Sequence, residues 1–140
     1  MGPAVFLSLD VANDEAERLV FSGQIETCST VFSAPYWSAE GQLPQSTRDR
    51  DAQIRDKLDG CDLVIVLVGK QTASAANVER EIALARDRNV PFFGVYVGDA
   101  DVSNGLPAGL PANRTIPCDW RRIASAIDQV MSEGKHHVFR

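Results

Sequence analysis

The chain has 140 residues, 44% of them hydrophobic, and a formal net charge of −5. That is material for one core and one domain, and an acidic balance without any basic run argues against nucleic acid or an anionic membrane as partner. No apolar stretch approaches the ~20 residues of a membrane span, and "MGPAVFLSLD" lacks the basic-then-apolar order of a secretory signal, so the cytoplasm is the expected location.

Along the chain, "AVFLSL" (Ala4 to Leu9) is a short apolar run of strand formers. "DVANDEAERLVFSGQI" then reads as a helix capped by Asn13, with Asp14, Glu15 and Glu17 in its first turn and Ala16, Leu19 and Val20 as its apolar face. "TVFS" is a weak second strand. "APYWSAEGQLPQS" reads as a loop, and "TRDRDAQIRDKLDG" as a polar helix with Ile54 and Leu58 inward, stopped by Gly60. "DLVIVLVG" (Asp62 to Gly69) is the clearest signal. A continuous aliphatic run of this length fits a strand buried on both faces, at the centre of a parallel sheet. The helix in "SAANVEREIALARDR" follows, with Ser74 as the expected N-cap and Val78, Ile82 and Ala85 as its buried stripe. "VPFFGVYVG" is another buried strand. A turn-rich loop, the edge strand "RTIP" and a last helix with Ile123, Ile127 and Val130 inward complete the chain.

Strands alternating with helices predict an α/β fold: a flavodoxin-like three-layer sandwich on a five-stranded parallel sheet in the order 2-1-3-4-5. In that order strands 1 and 3 are neighbours whose connections leave to opposite faces, and ligands bind in the crevice at their carboxyl ends. Strand 1 ends there in Ser8, Leu9 and Asp10. Strand 3 leads through "GKQTAS" to the helix carrying Glu81. Glu81 has no basic residue three or four positions away, and it lies about 60–70° from the centre of the buried stripe. That places its carboxylate on the crevice rim, whereas Glu79 points to the other side.

Several chemistries lack their residues. No GxGxxG follows strand 1. "GKQT" misses the upstream glycine of a phosphate loop. His136 and His137 sit together near the C-terminus and offer no base for a catalytic triad. Strand 3 ends in Val68-Gly69, where a phosphorylated receiver would need an aspartate. Cys28, Cys61 and Cys118 form no CxxC or Cys/His cluster, so no metal site is expected and the thiols read as reduced and buried. Trp120 reads as core.

"VFLSLD" resembles the opening strand of TIR domains, which read F-[IVL]-S-[YF]. "CDLVIVLVGKQTASAANVEREIALA" resembles their third strand and following helix, with the pattern S-x-x-W-V-x-x-E-I. With "YWSAEGQ" and "VPFFGVYVG", the likeness is to the TIR-like subgroup that includes ThsB proteins of bacterial Thoeris antiphage systems, over nearly the whole chain. The resemblance implies a TIR-like domain over residues 1–134 with a tail at 135–140. It places the catalytic glutamate of enzymatic TIR domains on Glu81. Ser8, Leu9, Asp10, Tyr36, Trp37, Ser38, Ser74 and Asn77 are the implied substrate-binding positions. Asn77 and Leu9 stand where the family often has aromatics, and Tyr36 and Trp37 are the aromatics available to replace that stacking surface.

The implied activity is cleavage of NAD+ as substrate, with no bound cofactor, giving ADP-ribose or a cyclic or conjugated ADP-ribose signal. The implied partners are further copies of the chain and a separate effector reached through that product. The "SAPYWSAEGQLPQ" segment is the candidate lid. A non-catalytic TIR interaction module and a nucleoside deoxyribosyltransferase-like enzyme remain the alternatives.

Overall fold

The structure is a computed structural model and describes residues 3–28, 32–38 and 47–133. Its strands are β1 (Ala4–Leu9), β2 (Ser33–Trp37), β3 (Leu63–Val68), β4 (Phe92–Tyr96) and β5 (Thr115–Pro117). Its helices are α1 (Val11–Cys28), α2 (Thr47–Asp59), α3 (Ala76–Asp87) and α4 (Trp120–Glu133). The strands form one parallel sheet in the order β2-β1-β3-β4-β5, as expected.

The sheet is built around β3. Every residue of "LVIVLV" is 0% exposed, and burying each such side chain contributes about 1.5–3 kcal/mol before the cost of ordering it. Alternation along the strands sorts these side chains to two cores. Leu63, Ile65 and Leu67 meet Val5, Leu7 and Leu9, under Phe21 and Ile25 of α1 and Ile123, Ile127 and Val130 of α4. Val64, Val66 and Val68 lie on the other face with Phe6, under Leu58 of α2 and Val78, Ile82 and Ala85 of α3. The helices that follow β1 and β3 thus cover opposite faces, which opens a crevice between the two strand ends. The pairing Ser8↔Val66 and Leu9↔Leu67 sets the strand ends level there.

Several local expectations are corrected. The second strand is Ser33–Trp37, a few residues beyond "TVFS". It pairs with β1 through Phe6↔Tyr36 and Leu7↔Trp37. Pro35, which has no N–H to give, is accommodated because β2 is an edge strand. Tyr36 and Trp37 are therefore strand residues. The rest of the candidate lid, 39–45, lies outside the described residues, as do Cys28's side chain, the two histidines and the tail.

In α1, Leu19 and Val20 are 59% and 61% exposed, and Ala16 is exposed too. The helix begins directly after Asp10, whose carbonyl accepts the N–H groups of Asn13 and Asp14. Asn13 lies within the first turn, where its amide donates to Asp10 Oδ2 at 2.7 Å, and Asp14 after it departs from helical dihedrals (φ −119°, ψ 15°), so α1 is kinked there. The inward positions are Asp14, Arg18, Phe21 and Ile25. In α3 the N-cap is Ala75. Ser74 belongs to a separate 3₁₀ turn, Thr72–Ser74, and its hydroxyl donates to the Gln71 carbonyl. Among the thiols, Cys61 is buried but Cys118, just past the edge strand β5, is exposed. Trp120 is half-buried, with its ring 5.1 Å from that of Phe21 and 6.2 Å from that of Phe32.

Position 69, just past β3, takes glycine for a steric reason. A Cβ there would lie 2.3 Å from Oδ1 of buried Asp14. The Thr72 hydroxyl joins these elements: it accepts from Gly69 N–H at 2.7 Å and donates to Asp14 Oδ2 at 3.0 Å.

Candidate functional site

β1 alternates Phe6 and Ser8 toward the α2/α3 face, so Ser8 meets α3 at the carboxyl end of the sheet. Its hydroxyl donates to Oε1 of Glu81 at 2.6 Å. Ser38 follows β2 directly, and its N–H is held by the Leu7 carbonyl at 2.9 Å. That places its Oγ to accept from Leu9 N–H at 3.0 Å and to donate to the same Glu81 oxygen at 2.6 Å. Asn77, one helical turn before Glu81, donates to the Leu9 carbonyl at 2.9 Å and approaches Oε2 of Glu81 at 3.4 Å. Three elements thus converge on one carboxylate. Oε1 carries two hydroxyl donors, and Oε2 is the oxygen left with capacity for a ligand.

Glu81 is 3% exposed, so it is a buried acid and not a rim acid. The α2 helix lies over the position that periodicity on α3 alone assigns to the rim. Burial raises its pKa from 4.5 to about 7, against the opposing pull of the Ser38 and Ser8 hydroxyls, the Asn77 amide and the Lys57 charge. Near neutral pH this carboxyl is therefore divided between its two protonation states.

The acid opens onto a cleft of about 440 Å³. Phe6, Val11 and Ile54 give it apolar wall, Trp37 stands at the β2 side, and Asp10, Asn77 and Glu81 supply polar floor. This composition, mostly apolar with a few convergent polar groups, is that of a small-molecule site. Arg18 lies 4.3 Å above the Trp37 ring and holds it in place by a cation–π contact.

Of the residues singled out from the sequence, Ser8, Ser38, Asn77 and Glu81 form one hydrogen-bonded cluster, and Asp10 and Trp37 line the same cleft. Leu9 takes part through its backbone only, because its side chain is in the α1/α4 core. Tyr36 packs against the α2/α3 core beside Gly60 and does not line the cleft. Ser74 is exposed and bonded to Gln71, away from it. Reading the sequence missed the α2 wall, to which Arg50, Gln53, Ile54 and Lys57 contribute. Their spacing, with positions 50, 53, 54 and 57 on one helical face, was the available signal. It carries no motif, and α2 as a whole reads as polar.

Among the described residues no helix is long and apolar enough to cross a membrane. No curated protein matches the chain. Among solved structures, the TIR domains of the activated Roq1 resistosome directly recognizing the pathogen effector XopQ are similar at 16% identity and a TM-score of 0.47, over 73% of this chain and 61% of that one. The chain thus spans about three-fifths of that chain's length. A family profile described as the TIR-like domain of the Thoeris protein ThsB matches residues 30–101, just over half of the 140, including Ser38, Asn77 and Glu81. With the β2-β1-β3-β4-β5 parallel sheet, this match shows that the chain belongs to the ThsB TIR-like domain family.

Proposed function

We propose that the chain is a NAD+-consuming enzyme of antiphage defence, with Glu81 as its catalytic carboxylate. The observation that carries this reading is a buried acid, Glu81, anchored at one oxygen by Ser8 and Ser38 and facing a cleft of about 440 Å³. The chemistry suits one acid. Glycoside hydrolysis ordinarily uses two carboxyl groups because the leaving oxygen must be protonated. The nicotinamide of NAD+ is already cationic. When its bond to the ribose carbon breaks, the electron pair returns to the ring nitrogen and the base leaves neutral. The ribosyl cation that develops needs a negative charge placed in advance, which Oε2 of Glu81 supplies. Water then adds to the ribose carbon and releases a proton, giving ADP-ribose. A hydroxyl or ring nitrogen of the same molecule in place of water gives a cyclic product.

In this reading Asp10 and Asn77 meet the ribose hydroxyls, and Trp37 offers an aromatic face on the cleft wall. The product, a cyclic or conjugated ADP-ribose, acts as a diffusible signal for a separate effector. The protein works in the cytoplasm as a homo-oligomer, which sedimentation of the full chain tests directly. Incubation of the purified protein, alone and with extract of infected cells, with NAD+ or with free nucleosides tests the activity by chromatography. Release of nicotinamide supports the proposal. Exchange of bases between nucleosides points to a deoxyribosyltransferase-like enzyme. Inertness toward both points to a non-catalytic interaction module.

A further inference from the structure

Along the inward stripe of α1, Phe21 and Ile25 are apolar, but one turn earlier the position is Arg18, 7% exposed. A cation so buried is costly unless it is paired. Arg18 is held on two sides. Its Nε and Nη2 donate to the two carboxylate oxygens of Glu15, at 2.6 Å and 3.2 Å, a fork that fixes the guanidinium. Its Cζ lies 4.3 Å from the centroid of the Trp37 ring, where a weakly hydrated guanidinium gains from an aromatic face. Trp37 in turn borders two cavities. One is the Glu81 cleft. The other, of about 490 Å³, lies between α1 and the edge strand β2, with Ile25, Phe32 and Ala34 in its walls. Arg18 borders the second cavity and not the first. The indole is therefore a partition with Arg18 on the side away from Glu81. Trp37 is half-buried at the end of an edge strand with open volume on both sides, so packing alone leaves its rotamer weakly specified.

We infer that Arg18, oriented by Glu15, is a positioning residue for the Glu81 cleft. It holds the Trp37 indole as a fixed wall, so that a planar ring of the ligand meets an aromatic face already in place and the second cavity stays outside the site. This deepens the proposed function and rests on it for the ligand, NAD+, but not for the placement of Trp37. Without the charge at position 18, the indole gains a second position on the side of the second cavity. A ligand then has to restore the wall as it binds, which weakens binding by the fraction of molecules that present it. Arg18 stands behind the indole and meets no reacting atom, so the loss falls on KM and not on kcat.

The test uses the full chain carrying Trp120→Phe, which leaves Trp37 as its one tryptophan. Arg18→Met keeps the length of the side chain and removes its charge, whereas Arg18→Lys keeps the charge and removes the fork. Thermal unfolding verifies that each variant is folded. Relative to the Trp120→Phe reference, Arg18→Met should lose near-UV circular dichroism from Trp37 and gain quenching of its fluorescence by acrylamide. Its KM for NAD+ should rise about tenfold, the factor for a wall in place in one molecule in ten, with kcat within about twofold. Arg18→Lys should lie between the two. Kinetics of Arg18→Met with Trp120 retained supply the same comparison without the reference substitution. Trp37 signals equal to the reference in folded Arg18→Met overturn the inference, and so do altered Trp37 signals with KM unchanged. Trp37 signals that move as expected, with no release of nicotinamide by any form, leave Arg18 as the clamp on Trp37 and remove the enzymatic reading.

Discussion

Replacing Glu81 by glutamine should stabilise the protein while inactivating it, and the stabilisation should grow with pH. In the unfolded chain the carboxyl titrates near its ordinary 4.5, and in the folded protein near about 7. Between those values the folded state keeps a proton that the unfolded state has released. Stability therefore falls as pH rises, by 1.36 kcal/mol for each pH unit in the window. Over a span of about 2.5 pH units this one group costs about 3 kcal/mol, an order-of-magnitude figure, fully present above pH 7 and absent below 4.5. Glutamine has the same shape, and its Oε1 accepts the Ser8 and Ser38 hydroxyls as the acid does, but it has no charge to desolvate. Urea unfolding of both proteins from pH 4.5 to 9 measures the effect. Other titrating groups, including Asp14, whose pKa burial also raises, contribute nearly equally to both proteins and cancel in the difference. The difference in unfolding free energy should rise with pH through the window and level off above it. A difference that stays constant across the range would refute the account of Glu81 as an acid buried at the expense of its charged form. Turnover of NAD+ by the same variant should fall at least about 10²-fold, the scale for one preorganised electrostatic group. The opposite directions of the two effects are expected where a charge is kept for chemistry at a cost in stability.

Ser38→Ala removes a donor to Glu81 Oε1, so the acid limb of the kcat/KM profile against pH should move to higher pH. The same change leaves Leu9 N–H without its acceptor and should destabilise by about 1–3 kcal/mol, read by urea unfolding. Glu79→Gln, on the exposed side of α3, should change stability by less than about 0.5 kcal/mol and leave turnover as it is. Gly69→Ala puts a methyl 2.3 Å from Asp14 Oδ1 and 2.4 Å from Oδ2, so the carboxylate must shift and its Oδ2 lose the Thr72 hydroxyl. An overpacking loss of about 1–3 kcal/mol should appear as a lower urea midpoint.

The sheet and its order were legible in the sequence because the signals that set them are local. "LVIVLV" can satisfy its apolar surface only by burial on two faces, and the alternation of strand and helix then leaves few ways to connect a parallel sheet. The inward stripes of α3 and α4 were legible for the same reason: Val78, Ile82 and Ala85, and Ile123, Ile127 and Val130, recur at the helical period. The motif residues Ser8 and Glu81 were also visible, 73 positions apart, but not the bond between them.

Tertiary structure decided what local pattern leaves open. Leu19 and Val20 look inward on composition alone, yet beyond the kink at Asp14 the helix turns them out, in favour of Phe21 and Ile25. Tyr36 and Trp37 sit in a segment punctuated by proline, which reads as loop until a neighbouring strand supplies the partners that make it an edge. Glu81 reads as a rim acid from its angle on α3. Whether that angle faces water depends on a separate helix, α2, and on the Arg80–Asp51 and Arg88–Asp59 pairs that hold it against α3. The period of a helix specifies which side chains share a face. What covers that face, and hence the dielectric around a carboxylate and the pH at which it ionises, is a property of the packed molecule.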